Sequence, residues 1–225
     1  MRAGIVLMWL LAACGAKTGL RVCEDDASCC EPEPEVCNGL DDDCDGVADD
    51  GLRCFFLDGT PIEALETARC GEDWYSYNRP DSESANPTPD IRVSGGLVIA
   101  VQDGPTCDGA SVALITDLPM DGSGGTLLVD LQVTPSAAGR LLVSDEPNEC
   151  SYDRSRGIGT CDFTWQGCCT DGFLIGELRS DSCVTLTLSG ASGIGRPQVH
   201  DGPDRTIPRN FDVPIEICAQ IRPAA

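Results

Sequence analysis

Residues 126–133 read TLLVDLQV, and the second half of this stretch places apolar side chains at every other position. The same alternation, again with β-branched residues, runs through CVTLTL at residues 183–188. A period of two puts successive side chains on opposite faces, as in a β-strand with one buried face. No helical periodicity competes with it in either stretch. Both stretches therefore predict strands of an antiparallel sheet.

Short apolar runs recur about every ten residues from Asp90 onward, separated by Gly, Pro, Asp or Asn, a spacing typical of all-β domains. Besides the two stretches above, they are 96–102, 111–116, 140–143, 162–165, 173–178 and 213–221. Strands at this spacing are typical of an antiparallel β-sandwich or jelly roll. The sequence therefore predicts a mainly β fold, with a disulfide-bonded, sandwich or jelly-roll-like domain over residues 90–225.

The first residues have the layout of a secretory signal. Met1-Arg2 supplies positive charge, and residues 3–11 form an apolar stretch that is too short for a transmembrane helix. The stretch ends in Leu11-Ala12-Ala13-Cys14-Gly15, which resembles the bacterial lipobox. The resemblance implies a signal peptide at 1–13 and a membrane anchor through lipidated Cys14, in the cell envelope, at the outer membrane or cell surface. An ordinary secretory signal that contains a cysteine is the alternative.

The cysteine count agrees with export. The chain has 15 Cys, so assigning Cys14 to lipid leaves an even number in a chain that leaves the cytoplasm. Such a count predicts a disulfide framework rather than metal–thiolate sites, because CxxC pairs are missing and the chain has one His. Cys183 and Cys218 both fall in predicted strands and are expected to help pin the sandwich. The disulfide pairing stays open.

The net charge of the chain limits the kinds of partner that it can bind. The formal net charge of −22 argues against nucleic acid and against electrostatic docking on anionic lipid. It fits a solvated outer surface that attracts divalent cations.

The part of the chain before the predicted sandwich divides into three segments. Residues 14–36 contain EPEPE at 31–35 and predict an extended, lipidated tether. Residues 37–76 form a cysteine-rich module, and 77–89 (YNRPDSESANPTP) predict a linker. Within the module, a helix is expected over 61–69. Thr60 is its N-cap candidate, Pro61 suits the first helical position, and Glu63 completes a capping box.

The acidic stretch EVCNGLDDDCDGVADDGL at 35–52 carries seven acidic residues and no Lys or Arg. Its D-x-D-x-D-G-x-x-D pattern matches the first nine positions of an EF-hand-like calcium loop. Calcium takes six to eight oxygen ligands, so closely spaced carboxylates suit it. The candidate ligands are the carboxylates of Asp41, Asp43, Asp45, Asp49 and Asp50 and the carbonyl of Val47. The bidentate Glu of an EF-hand is replaced by Leu52, which argues against a flanking helix pair and a tight sensor site.

Residues 35–50 also resemble the MopE-like metal-binding repeat of bacterial surface proteins, and their Asp spacing is similar to that of thrombospondin type 3 repeats. The resemblance implies a secreted metal-binding segment without enzymatic activity. The family's copies often come in arrays, whereas this chain has one. Copper prefers His, Met and Cys ligands, of which the mature chain offers only His200 and Met120 besides its oxidised cysteines. One Ca²⁺ ion is therefore expected. The alternative is an acidic loop stapled by the disulfides of Cys37 and Cys44, without an ion.

Two further clusters are weaker candidates. Asp162, Asp171 and Asp181 could form a second cation site on the sandwich rim, or Trp165 could lie in the core of a disulfide-pinned hairpin. Trp74, Tyr75 and Tyr77 form an aromatic cluster that could stack on sugars if exposed, or could pack against the sandwich.

His200 lies in a turn-rich stretch without a nucleophile signature, so no enzyme is expected. The leading hypothesis is a cell-envelope lipoprotein in a structural or adhesive role. Its calcium loop rigidifies the module, and its β-sandwich faces a surface polysaccharide or protein partner. A carbohydrate-binding surface lipoprotein and, less favoured, an envelope hydrolase are the alternatives.

Overall fold

The computed structural model describes residues 32–38, 40–49, 52–75, 91, 95–117, 124–146, 148–166, 170–179 and 181–221. In chain order, the strands and the α-helix of these residues are β1 (Arg53–Leu57), β2 (Thr60–Ile62), β3 (Leu65–Glu66), α1 (Gly71–Tyr75), β4 (Gly96–Asp103), β5 (Ala110–Asp117), β6 (Gly124–Thr134), β7 (Arg140–Ser144), β8 (Cys150–Asp153), β9 (Ile158–Gln166), β10 (Thr170–Leu178), β11 (Ser182–Ser192), β12 (Pro197–Asp201), β13 (Arg205–Pro208) and β14 (Ile215–Ile221). Among these described residues, no helix has the length and hydropathy needed to cross a membrane.

The strands form two sheets around one core. The first sheet has the order β2-β1-β14-β11-β6-β9-β8, and the second has β13-β12-β4-β5-β10-β7 with β3 beside β4. Neighbouring strands are antiparallel, except that β3 and β12 run parallel to β4. Side chains from both sheets, such as Phe163 of the first and Phe173 of the second, meet in one buried cluster. The predicted mainly β, sandwich-type fold is confirmed.

The alternating stretch 126–133 lies in β6, near the middle of the first sheet. Leu127, Val129, Leu131 and Val133 are buried, whereas the residues between them face outward. β6 pairs with β11 on one side and with β9 on the other. Alternation in the sequence therefore corresponds to a sheet with one buried and one open face.

The second sheet is covered on both faces. In β4, every residue from Gly96 to Gln102 is buried. Leu97 and Ile99 point into the core between the sheets, whereas Val98 packs in a second cluster under Trp74 of α1. A strand buried on both sides has no reason to alternate, which explains its continuous apolar run. Of the two sheets, the first has an open face in the part of the chain that the structure describes.

The helix predicted over 61–69 is wrong. Its first residues form β2, which pairs with β1 through a two-residue turn at Asp58 and Gly59. Both turn residues have positive φ, 49° and 80°, which is the geometry of a tight type I′ hairpin. Hairpin pairing and burial of Ile62 against the core outweigh the local capping signal. The α-helix instead begins at Gly71, directly after Cys70.

The predicted boundary between module and sandwich also differs from the structure. β1 pairs with β14 and β3 pairs with β4, so residues 53–66 belong to the two sheets. Local composition could not show these pairings because their partners lie far along the chain. The proposed linker 77–89 falls outside the described residues, as does most of the tether 14–36.

Disulfides fasten this architecture at four described cysteine pairs. Cys183–Cys218 joins β11 to β14, so the expectation that these two cysteines pin the sandwich is confirmed. Cys150–Cys161 joins β8 to β9. Cys70–Cys107 ties the residue before α1 to the loop after β4. Cys37–Cys54 holds the acidic segment against β1.

Candidate metal centre

Asp side chains of the acidic loop accept hydrogen bonds from backbone N–H groups two residues later in the chain. Asp43 Oδ1 accepts a hydrogen bond from the backbone N–H of Asp45 at 3.1 Å. Asp45 Oδ1 accepts one from the N–H of Val47 at 2.8 Å. Such Asx turns bend the chain without regular secondary structure. The alternating Asp residues therefore curl the loop as well as charge it.

Gly46 completes the bend. Its backbone N–H donates to Asp41 Oδ2 at 2.9 Å, which wraps the chain around Asp41. Gly46 has φ +100°, a conformation that L side chains rarely adopt, and a Cβ there would meet no atom within 4 Å. Backbone conformation, rather than lack of space, accounts for the glycine.

Three carboxylates converge inside this bend. Carboxylate oxygens of Glu35, Asp41 and Asp43 all lie within 4.8 Å of one another. Glu35 is held there because its Oε1 accepts hydrogen bonds from the N–H groups of Asp42 at 2.6 Å and Asp43 at 2.9 Å. Glu35 Oε2 and Asp41 Oδ1 are buried and form no hydrogen bond with any described residue. Buried carboxylate oxygens without donors are costly unless a cation compensates them.

This geometry fits one hard cation. Calcium binds oxygens at 2.3–2.6 Å, so two oxygens on the same ion are separated by at most about 5 Å. The 4.8 Å limit for the three carboxylates satisfies that condition. Residues 33–49 contain no Lys or Arg that could balance the charge. Glu35, Asp41 and Asp43 are therefore the residues that could hold calcium.

The other predicted ligands lie elsewhere in the loop. Asp45 is exposed and its Oδ1 is used in the turn with Val47. Asp49 is only 1 % exposed; its N–H donates to the Leu40 carbonyl and its Oδ1 accepts from the Asn38 N–H at 2.8 Å. These bonds close the base of the loop, and the carboxylates of Asp45 and Asp49 lie outside the group of three. Val47 is held through its N–H, which donates to Asp45. Asp50 and Cys14 fall outside the described residues.

Glu35 is the ligand candidate that the calcium-loop spacing missed. It precedes the first Asp of the pattern by six positions and reaches the site through hydrogen bonds to the backbone of Asp42 and Asp43. The available signal was its place at the start of residues 35–50, which resemble the metal-binding repeat of bacterial surface proteins. Spacing within the nine-position pattern could not include it.

A second group with ligand-like spacing is explained by a disulfide. Cys183, Glu216 and Cys218 place one potential ligand atom each within 4.8 Å of the others. Both sulfurs are bonded to each other, so neither is a thiolate that could bind a metal.

Asp162, Asp171 and Asp181 do not form a group with ligand spacing in the described part of the chain. Asp171 is buried and packs against other acids. Burial and the charge of Asp145 raise the pKa of Asp171 to about 7. Burial and the neighbouring Asp171 raise the pKa of Glu149 to about 8. Trp165 is 5 % exposed and lies in the core, as expected. The hairpin expected around it is wrong, because β9 and β10 pair in different sheets and Asp171 lies within β10 rather than in a turn.

The aromatic cluster is not an exposed platform. Trp74 is 7 % exposed and Tyr75 is fully buried, and both pack against the second sheet. The Tyr75 hydroxyl donates to Asp145 Oδ1 at 2.9 Å. A sugar-stacking surface at these residues is therefore contradicted, and the packing alternative holds. Tyr77 lies outside the described residues.

His200 is also placed by packing. It is 5 % exposed, and its ring nitrogens lie 3.3 Å from the Gly202 carbonyl oxygen and 3.2 Å from that of Ile91. In the described part of the chain, the ring nitrogens therefore face backbone carbonyls and not a hydroxyl or thiol nucleophile.

Comparisons with known proteins do not assign a family. The chain matches no protein-family model, no curated protein and no solved structure.

Proposed function

We propose that this chain is a cell-envelope lipoprotein whose acidic loop binds one calcium ion through Glu35, Asp41 and Asp43. The ion fixes the loop against the β-sandwich, which serves a structural or adhesive role. The observation that carries the proposal is the convergence of three carboxylates with two buried oxygens that have no hydrogen-bond donor among the described residues.

Electrostatics gives the ion its role. Two like charges about 4 Å apart repel by roughly 1 kcal/mol in water and about 4 kcal/mol at the effective dielectric near a protein surface. Three such pairs within one bend oppose closure of the loop. A divalent cation converts the repulsion into attraction, so loop folding and calcium binding are coupled.

The loop is joined covalently to the sandwich close to the site. Cys37 lies two residues after Glu35 and is disulfide-bonded to Cys54 of β1. Cys54 is buried, and β1 pairs along its length with β14 in the first sheet. Order imposed on the loop by the ion is therefore transmitted to a hydrogen-bonded strand. This favours a rigid connection between the N-terminal segment and the sandwich.

The envelope location rests on the sequence. The lipobox-like stretch ending at Cys14, the disulfides and the net charge of −22 all suit an exported, lipid-anchored surface protein. In that setting, the Pro-rich segment that precedes Glu35 lies between the anchor and the sandwich along the sequence. The open face of the first sheet is then available to a surface polysaccharide or protein.

Calorimetric titration of calcium into the oxidised full-length mature chain carrying Cys14→Ser tests the proposal. We expect one ion per chain, with a dissociation constant in the range of about 10⁻⁴–10⁻³ M seen for extracellular modules. The variant Asp41→Asn/Asp43→Asn should lose this binding. Asp181→Asn/Asp204→Asn, which removes the same charge from exposed sites elsewhere, should retain it. Absence of binding at millimolar calcium would refute the proposal.

A further inference from the structure

The open face of the first sheet carries a row of short polar side chains that crosses four strands. The pairing register aligns Thr187 of β11 with Asp130 of β6, Asp130 with Thr160 of β9, and Thr160 with Ser151 of β8. All four residues are exposed. We call these residues the Asp130 row. Three strand spacings of ~4.8 Å make it about 14 Å long.

A second row lies beside the first and deepens it into a groove. Thr185, Gln132, Ile158 and Asp153 are aligned across the same strands. Gln132 and Ile158 are longer than the side chains of the Asp130 row. Residues of both rows line a groove of about 570 Å³. This volume falls within the range of small-molecule sites.

Exposed aliphatic side chains stand on opposite sides of the Asp130 row. Leu128 is 39 % exposed and precedes Asp130 by two positions on β6, so it lies on the same face. Ile158 is 37 % exposed and precedes Thr160 by two positions on β9. Because β6 and β9 are antiparallel, the two aliphatic groups flank the row from opposite directions. The groove therefore has mostly polar side chains in its lining, with the aliphatic side chain of Ile158 among them and that of Leu128 beside it.

The polar groups of the groove suit hydroxyl ligands. Among the described residues, its lining contains no Lys or Arg and includes the carboxylates of Asp130 and Asp153, which repel anionic ligands. Threonine and serine hydroxyls and the Gln132 amide both donate and accept hydrogen bonds, whereas carboxylates accept strongly. Neutral hydrogen-bonding side chains outnumber the two carboxylates, which favours an uncharged ligand over a cationic one.

We propose that this groove binds a neutral oligosaccharide. A sugar ring presents hydroxyls around its rim and C–H groups on its faces. These match the hydroxyl and amide groups of the lining and the aliphatic side chains of Ile158 and Leu128. The Asp130 row, at ~4.8 Å per strand, is long enough for about three rings. The site is separate from the calcium loop and goes beyond the role proposed for it. It also lies on the opposite sheet from the buried Trp74 and Tyr75.

A microarray of neutral oligosaccharides, printed beside uronate-containing and sulfated ones, tests the proposal with the oxidised Cys14→Ser protein. We expect binding to neutral members only, unchanged by EDTA because the calcium loop does not line the groove. Calorimetry with the best-bound neutral oligosaccharide then measures the variants. Asp130→Ala and Thr160→Ala should each weaken binding at least tenfold. Thr164→Ala, on the same strand and face but outside the groove, should bind as the unsubstituted protein does.

All three substitutions are on exposed side chains, so circular dichroism should show an unchanged fold. Conservative Asp130→Asn keeps the shape and removes the charge, and it should bind more weakly than the unsubstituted protein. Three results would overturn the proposal: no neutral oligosaccharide bound, binding restricted to acidic glycans, or equal binding by Asp130→Ala and Thr164→Ala. Binding of a Lys-rich peptide in place of every sugar would assign the groove to a cationic partner and overturn it as well.

Discussion

Glu35 is hydrogen-bonded to the backbone of Asp43, and the carboxylates of the two residues lie close to each other. Glu35 Oε1 accepts a hydrogen bond from the Asp43 backbone N–H at 2.9 Å, and carboxylate oxygens of the two residues lie within 4.8 Å of each other. The backbone bond forces two negative side chains into proximity. Such an arrangement is stable when a cation lies between the two carboxylates.

Replacing Glu35 with Gln removes the negative charge of the side chain but keeps its hydrogen bonds to the loop backbone. The Gln side-chain carbonyl can still accept from the Asp42 and Asp43 N–H groups, so the bend remains. One ligand charge is lost, and calcium binding should weaken about tenfold, or ~1.4 kcal/mol. Calorimetry against Glu33→Gln, an exposed acid whose side chain lies outside the carboxylate group, provides the control. Equal affinity of the two variants would remove Glu35 from the site.

Gly46→Ala should weaken calcium binding by straining the backbone of the acidic loop. An alanine at φ +100° is strained although space is available, and the cost is roughly 1 kcal/mol or more. The bend that brings the Gly46 N–H to Asp41 should open, and calcium affinity should fall. Gly190→Ala is the matched control, because Gly190 also has positive φ and open space but lies in the first sheet. It should lower the melting temperature and leave calcium affinity unchanged.

Removal of the Cys37–Cys54 disulfide should uncouple the loop from the sandwich. The bond closes a separation of 17 residues, for which the chain-entropy account gives about 3 kcal/mol. The double variant Cys37→Ser/Cys54→Ser should bind calcium more weakly. Stabilisation of the sandwich by calcium, measured as the rise in melting temperature, should also shrink. An undiminished rise would show that the ion stabilises the sheets by another route.

The free energy of unfolding should fall as the pH rises, because Glu149 and Asp171 lose protons that the folded state retains. Burial and Asp171 raise the pKa of Glu149 from about 4.5 to about 8, so the folded state keeps a proton that the unfolded chain releases. The stabilisation from this proton is complete below about pH 4.5 and is lost as pH rises to about 8. Urea unfolding of Glu149→Gln should show a flatter decline across this window than the unsubstituted protein. The same pH dependence of stability in Glu149→Gln and in the unsubstituted protein would contradict a raised pKa of Glu149.

Tyr75 anchors α1 through a buried hydrogen bond to Asp145. Tyr75→Phe should therefore destabilise the fold by about 1–3 kcal/mol, since a buried hydrogen bond to a carboxyl group is lost. Tyr152→Phe is the control, because the Tyr152 hydroxyl is buried and forms no hydrogen bond with a described residue. That variant should be neutral or slightly stabilising in chemical denaturation. A larger loss in Tyr152→Phe than in Tyr75→Phe would reverse this account of the two tyrosines.

The sequence predicted strands where local pattern and burial agree. The alternation around Val129 and Leu131 marked β6 correctly because one face of the first sheet is open. The helix expected after Thr60 is wrong because this segment forms β2, which pairs with β1. β1 in turn pairs with β14, and the Glu216 N–H donates to Asp58, which lies 158 residues earlier in the chain. β12 and β13 were missed because their residues, including Pro197 and Pro208, carry little apolar periodicity.

The site was predicted in part for similar reasons. Asp41 and Asp43 follow from spacing, since neighbouring residues in a tight turn must share a side. Glu35 depends on hydrogen bonds to two backbone N–H groups, and Asp49 is drawn to the base of the loop by Asn38. Spacing alone does not determine those contacts. The polar groove on the first sheet depends on register across four strands, which is set by pairing and not by any one stretch.

The most direct test of the central claim is a crystal structure of the oxidised chain grown with calcium, with the ion located by anomalous scattering. The account predicts one site with carboxylate oxygens of Glu35, Asp41 and Asp43 about 2.3–2.6 Å from the ion. An ion bound by Asp45 and Asp49 without Glu35, or an empty loop at saturating calcium, would contradict it.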